Sequence, residues 1–186
     1  MSLGMILGVV GAVVVLLALA YNSLVGKRNQ VSNVFATVDV LLKKRYDLIP
    51  NLVSTVQGYA QHERTLMKDL TELRGKAVNS TLSPSETIAL NARLGALLGN
   101  MRLIVENYPD LKASKNFLQL QAALNEVEEQ ISAGRRAYNA AVTAYNNAVQ
   151  MVPLNLVAGM FGFQSAVFFK AVEGDRAVPS AKVPQT

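Results

Sequence analysis

Between Ser2 and Gly26 no residue carries a charge, and residues 3–25 read LGMILGVVGAVVVLLALAYNSLV. A run of about 20 apolar residues is what a helix needs to cross the hydrocarbon core of a bilayer, and Tyr21 and Asn22 stand where an interface would fall. Residues 1–26 are therefore expected to be a transmembrane anchor. A cleaved secretory signal is the rival reading, with Ala18, Leu19 and Ala20 as a small-residue site, but no Lys or Arg precedes the apolar run. Lys27, Arg28, Lys43, Lys44 and Arg45 all follow it, which predicts a single-pass protein with its N-terminus outside and its body in the cytoplasm. Gly4, Gly8 and Ala12 are spaced so that two spans can approach closely, although a plain lipid-facing helix explains them equally well.

The remaining length suffices for one globular domain. The chain holds 0 Cys, which excludes disulfides, thiolate zinc sites, iron–sulfur clusters and a cysteine nucleophile. Its net charge of +5 is scattered along the sequence and never gathered with aromatics on one face, so a nucleic-acid partner is not expected. No cofactor is expected either.

Periodicity organises residues 27–151. Val31, Val38, Leu52, Tyr59, Leu66 and Leu73 fall at heptad spacing, with Phe35, Leu42, Ile49, Val56 and Leu70 on the same stripe. They predict one helix running to about Leu73, on the order of 65 Å long. The stripe fails at Arg45 and Glu63. Residues 74–82 read as a loop, and Ser83-Pro84-Ser85-Glu86 as a helix start with cap, proline and capping-box acid in place. That second helix ends near Asn107, where Tyr108-Pro109-Asp110 reads as a breaker.

A third helix carries a coiled-coil-like seam, with Phe117, Leu124, Ile131, Tyr138 and Tyr145 on one line and Leu120, Val127, Gly134, Ala141 and Ala148 on the other. If residues 108–115 are extended, this helix starts near the membrane and climbs, and the chain leaves it at the far tip. The expected class is all-α: one transmembrane helix, then an elongated antiparallel bundle of three long helices plus a short apolar C-terminal segment. That segment, residues 152–170, presents Leu154, Leu156, Met160, Phe161, Phe163, Phe168 and Phe169 and is expected to contact another subunit or a membrane. Residues 171–186 read as a disordered tail.

Among the polar residues, Arg45, Asp47, Pro50 and Asn51 form a cluster interpretable as a register-setting joint. Pro50 frees the carbonyl of Tyr46, and Asp47 can accept donors from a neighbouring helix or subunit. His62 and Glu63 lack the second histidine of a zinc motif, since Leu66 stands in its place, and are read as an inter-helix or inter-subunit contact. Tyr138-Asn139 repeats seven residues later as Tyr145-Asn146. The tyrosines belong in the core; the asparagines flank it, for inter-subunit bonding or solvent.

The runs YNSLVGKRNQV from Tyr21, LLKKRYDLIPNLVSTVQGYAQHE from Leu41, FLQLQAALNEVEEQISAGRRAYNAAVTAYN from Phe117 and GFQ from Gly162 resemble the LemA family of bacterial membrane proteins. The resemblance implies a single N-terminal span in the bacterial inner membrane, an elongated antiparallel helical domain, and no established biochemical activity. It implies hallmark positions at Arg45, Asp47, Leu48, Ile49, Pro50, Asn51, Leu52, Val53, His62 and Glu63, and at Tyr138, Asn139, Tyr145 and Asn146. It also implies a setting near membrane metalloproteases or other envelope proteins.

The expected function is a membrane-anchored homo-oligomeric scaffold that braces or remodels the membrane, with itself and the lipid bilayer as partners. The alternative is an adaptor presenting a helical face to a membrane protease or envelope signalling partner. A third reading puts the apolar segment of a distal tip on a second membrane. An enzyme is not expected, because no nucleophile, base and orienter can be assembled from these motifs.

Overall fold

The computed structural model describes residues 2–79 and 81–169; the tail predicted to be disordered lies outside them. All regular structure within these residues is helical: α1 Leu3–Asp47, α2 Ile49–Gln57, α3 Arg64–Asn79, α4 Pro84–Val105, α5 Pro109–Ala113, α6 Lys115–Gln150 and α7 Leu154–Phe161. The all-α class and the long apolar N-terminal helix are as the sequence leads one to expect. α1 runs without interruption from the apolar segment into the bundle, over about 68 Å at 1.5 Å per residue. Its first half is bare, and Leu3, Leu7, Leu16 and Leu19 are all exposed.

α1 pauses at Leu48 and continues as α2. Pro50 sits in the first turn of α2, where its missing N–H is not needed, so the proline costs the helix little. The expected unbroken helix to Leu73 does not form. Residues 58–63 turn the chain back, and α3 descends beside α2, with Thr71 and Arg74 alongside Ile49, Pro50 and Val53. Tyr59 is exposed in the turn, but the stripe resumes because Leu66, Leu70 and Leu73 face the same core from the returning helix. α3 also extends to Asn79 through part of the predicted loop.

α4 starts as expected. The Ser83 hydroxyl accepts from the Glu86 N–H, and the Glu86 carboxylate accepts from the Ser83 N–H at 2.8 Å. Those bonds from Ser83 hold the Glu86 carboxyl below its ordinary pKa. The capping contribution is therefore present above the ordinary glutamate range and is lost as pH falls through the lowered value. α4 is long enough to span a membrane by composition, yet it is far less apolar than α1, packs on α3 and buries Leu94, Met101 and Val105.

The predicted extended connection at 108–115 is instead the short helix α5. Pro109 occupies its first turn with Asp110 beside it, so the residues read as a breaker serve as a helix start, and Leu111 is fully buried. As a result α6 begins at the distal end and descends the full height of the bundle. Its register on α1 is antiparallel: Arg45 meets Glu128, Val38 meets Gly134 and Phe35 meets Tyr138. The expected layout, with the third helix climbing and the apolar segment leaving at the tip, is thereby reversed. α7 lies against the anchor end of α1, where the Phe161 ring stands 4.9 Å from that of Tyr21.

α1 and α6 approach closely at Gly134. A Cβ built there would stand 2.9 Å from Val38 Cγ2, a stiff β-branched side chain on a helix that cannot easily recede. Gly75 in α3 has open space at the same position. Gly75→Ala should therefore gain about 1 kcal/mol from helix propensity. Gly134→Ala should gain nothing or lose about 1 kcal/mol, because overpacking cancels the same propensity gain. Thermal denaturation of the two variants side by side checks this.

Candidate functional site

The predicted joint divides on folding. Asp47 turns outward and pairs with Lys43 one turn away on its own helix at 2.8 Å, both exposed. It takes no donor from a neighbouring helix. Asn51 is exposed, and its carbonyl accepts from the hydroxyls of Ser54 and Thr55. Pro50 is exposed at the start of α2. Arg45 alone of the four reaches the interior, at 6% exposure.

The Arg45 guanidinium ties three helices together. Nη1 donates to Asn91 Oδ1 on α4 at 2.9 Å, and Nη2 lies 2.7 Å from Glu128 Oε2 on α6. Nε has no hydrogen-bond partner. Burial lowers the Arg45 pKa from its ordinary value, Glu128 opposes that shift, and Arg135 and Arg102 add to it. Next to it, burial raises the Tyr46 hydroxyl above the ordinary tyrosine pKa. Arg45 forms one wall of a groove of about 620 Å³ between α4 and α6 that also holds Arg102, Phe117, Glu129 and Arg135. Sequence reasoning missed Asn91 and Glu128: a lone Asn and one Glu among several on a helix carry no local signal of being chosen as partners.

His62 is exposed in the distal turn between α2 and α3, and Glu63 opens α3, its carbonyl accepting from the Met67 N–H. Among the described residues no three His, Cys, Asp or Glu side chains cluster as a metal set. The failure of the apolar stripe at Glu63 marks the fold-back.

The tyrosine–asparagine repeat builds the most specific polar structure in the chain. Asn146 Nδ2 donates to the Ala166 carbonyl at 3.0 Å, while its Oδ1 accepts from the Ala166 N–H at 2.8 Å. Asn139 does the same with both backbone groups of Phe169, at 2.9 Å each. Each side-chain amide thus pairs with one residue of an extended segment as a neighbouring β-strand would. The Tyr138 hydroxyl donates to the Val167 carbonyl at 3.0 Å between them.

The heptad spacing follows from matching lengths. Seven helical residues rise about 10.5 Å, and three extended residues span about 10 Å. The pairing of Asn146 with residue 166 therefore repeats at Asn139 with residue 169. Within the chain, the asparagines clasp its own C-terminal segment onto α6. Burial raises the hydroxyl pKa values of Tyr138 and Tyr145.

That segment is delivered by Gly162, which ends α7 in the left-handed region at φ 70°, a conformation a side chain would resist. The turn brings Phe163 into the core against Tyr21, with the Arg28 guanidinium 5.1 Å from its ring. Phe169 closes the other end, buried on Tyr138 at 5.2 Å between ring centroids, with Arg135 over its outer face. Leu154 is half-buried. Leu156, Met160, Phe161 and Phe168 remain exposed.

A profile of the LemA family matches residues 34–183. The chain is 26% identical to Protein LemA of Metamycoplasma hominis over 83% of its own length and 71% of that protein's. It is 23% identical to Magnetosome protein MamQ 2 of Paramagnetospirillum magneticum, covering 89% and 70% of the two chains. It is also 21% identical to Magnetosome protein MamQ of Magnetospirillum gryphiswaldense, covering 85% and 67%. The N-terminal helix is long and apolar enough to cross a membrane, as a membrane protein requires, and the profile match over most of its length places the chain in the LemA family.

Proposed function

We propose that this protein is a non-catalytic, membrane-anchored homo-oligomeric scaffold in the bacterial inner membrane, its bundle held in the cytoplasm by α1. The observation that carries the reading is the continuity of α1, which enters the bundle as the same helix that forms the apolar anchor. A bundle joined by a helix instead of a flexible linker is a post rigidly continuous with its own span, and transmits force to it. Gly4 and Gly8 supply the self-contact: each has open space where a Cβ would stand, on a helix face with nothing packed on it. Side-by-side spans would array the posts and so brace or bend the membrane between them. The positive residues that follow the apolar run support the cytoplasmic orientation.

Native mass spectrometry of the full chain released from detergent or nanodiscs tests the proposal. Discrete oligomers are expected, shifting towards monomer in Gly4→Leu/Gly8→Leu. A monodisperse monomer overturns the self-assembling scaffold. A monomer that co-purifies with a membrane protease would support the adaptor reading in its place.

A further inference from the structure

The apolar segment predicted to reach outward from a distal tip returns to the anchor, and this raises the question of what covers its outer face. Val157 and Ala158 of α7 are buried against the chain itself, and Leu24 beneath them is fully buried. On the opposite side Met151, Val152, Leu156, Met160 and Phe161 are 58–78% exposed, all apolar and contiguous along the loop and helix. No charged residue occurs from Met151 to Phe169. A patch of that kind has no rim of polar residues to suit it to water.

Its height identifies the occupant. The antiparallel register of α6 on α1 brings Gln150 down to the level of Leu24, and the rings of Phe161 and Phe163 both touch Tyr21. Tyr21 stands in the last turn of the apolar run, where an aromatic side chain meets the headgroups. The exposed face of α7 thus adjoins the bare surface of α1 at Val14 and Leu17, which share the Tyr21 face of that helix. Just above it come Lys27 and Arg28, at the height of lipid phosphates.

We propose that α7, with Met151 and Val152, is a second membrane contact in cis: a helix seated in the boundary between headgroups and acyl chains of the bilayer that α1 crosses. The occupant is lipid, because side chains emerging at this level meet acyl chains and headgroups before any neighbouring protein. A single span can rotate and tilt freely; a span with an interfacial helix locked beside it has two points of attachment, which fix the rotation and tilt of the bundle. The inference rests on the membrane anchoring in the proposed function and is independent of self-assembly.

The chain has 0 Trp, so single-tryptophan variants give an unambiguous depth probe. Full-length Met160→Trp, Val13→Trp and Leu118→Trp, all at exposed positions, would be reconstituted in phosphatidylcholine–phosphatidylglycerol nanodiscs. A fraction of the lipid would carry a nitroxide either shallow or deep in its acyl chain. Met160→Trp should emit at shorter wavelength than Leu118→Trp and be quenched at least twofold, more by the shallow label than by the deep one. Val13→Trp should be quenched most by the deep label, and Leu118→Trp by neither.

Red, unquenched emission from Met160→Trp with a quenched Val13→Trp overturns the proposal and leaves the span intact. Blue-shifted but unquenched emission also overturns it, and assigns the face to a second copy of the chain. Unquenched emission at both positions removes the span and the proposal together.

Discussion

Replacing Asn139 and Asn146 together by alanine should release residues 163–169 from α6. The double variant removes four hydrogen bonds between side-chain amides and the backbone groups of Ala166 and Phe169. At about 1 kcal/mol net for each, the loss is roughly 3–4 kcal/mol of docking free energy. The amides of Ala166 and Phe169, protected only through this clasp, should exchange with solvent about two orders of magnitude faster. Hydrogen–deuterium exchange read at peptides covering the segment measures it. The Asn139→Asp/Asn146→Asp variant separates the ladder from mere burial: a carboxylate still accepts from the N–H but faces the carbonyl with no donor. It should loosen the segment almost as much. Unchanged exchange in both variants would mean that Phe163 and Phe169 hold the segment by packing alone.

Arg45→Ala should cost about 2–3 kcal/mol, and Arg45→Met less, because methionine refills the volume although it strands the same two acceptors. Truncation opens a cavity and strands Asn91 Oδ1 and the Glu128 carboxylate, which lost their donor. Breaking a buried pair on one side commonly costs about 3–5 kcal/mol. The lower figure applies because the Glu128 side chain is 41% exposed and water can reach it. Methionine fills the space without a charge to desolvate and removes the unpartnered Nε, so only the loss at Glu128 and Asn91 remains. Denaturant unfolding in detergent compares the two. An equal and large loss for both variants would show that the guanidinium's bonds, not its volume, set the stability here.

The features legible in the sequence are those a short stretch settles by itself. Residues 3–25 state a bilayer crossing through length and lack of charge. The cap at Ser83 states a helix start because donor and acceptor lie three residues apart. The Phe117, Leu124, Ile131, Tyr138 and Tyr145 line states a buried helix face, and all are buried but Leu124, which is half-buried. The joint was legible only at Arg45, where a charge interrupts an apolar stripe. Asp47, at the next turn of the sequence argument, satisfies itself with Lys43 on its own helix, which pattern alone does not distinguish from a bond to a neighbour.

The tertiary structure decided the direction of travel. A heptad stripe reads the same whether its helix climbs from a membrane or descends to it, so periodicity could not show that α6 returns to the anchor. The fold-back at 58–63 was equally silent: Gly58 caps α2 at an ordinary φ of −64°, and the stripe resumes after the turn because both arms face one core. Asn139 and Asn146 were marked by their repeat but not assigned. An amide carries one donor group and one acceptor group and is satisfied equally by water, a partner or its own chain, until packing brings residues 166 and 169 to the matching height. The sequence by itself determined an apolar helix long enough to cross a bilayer, a helical body and most of the buried faces, because those depend on local periodicity and on the length of an uncharged run. Only the packed chain determined that the C-terminal segment returns to the apolar helix, because that depends on the order in which connections of different length bring those faces together.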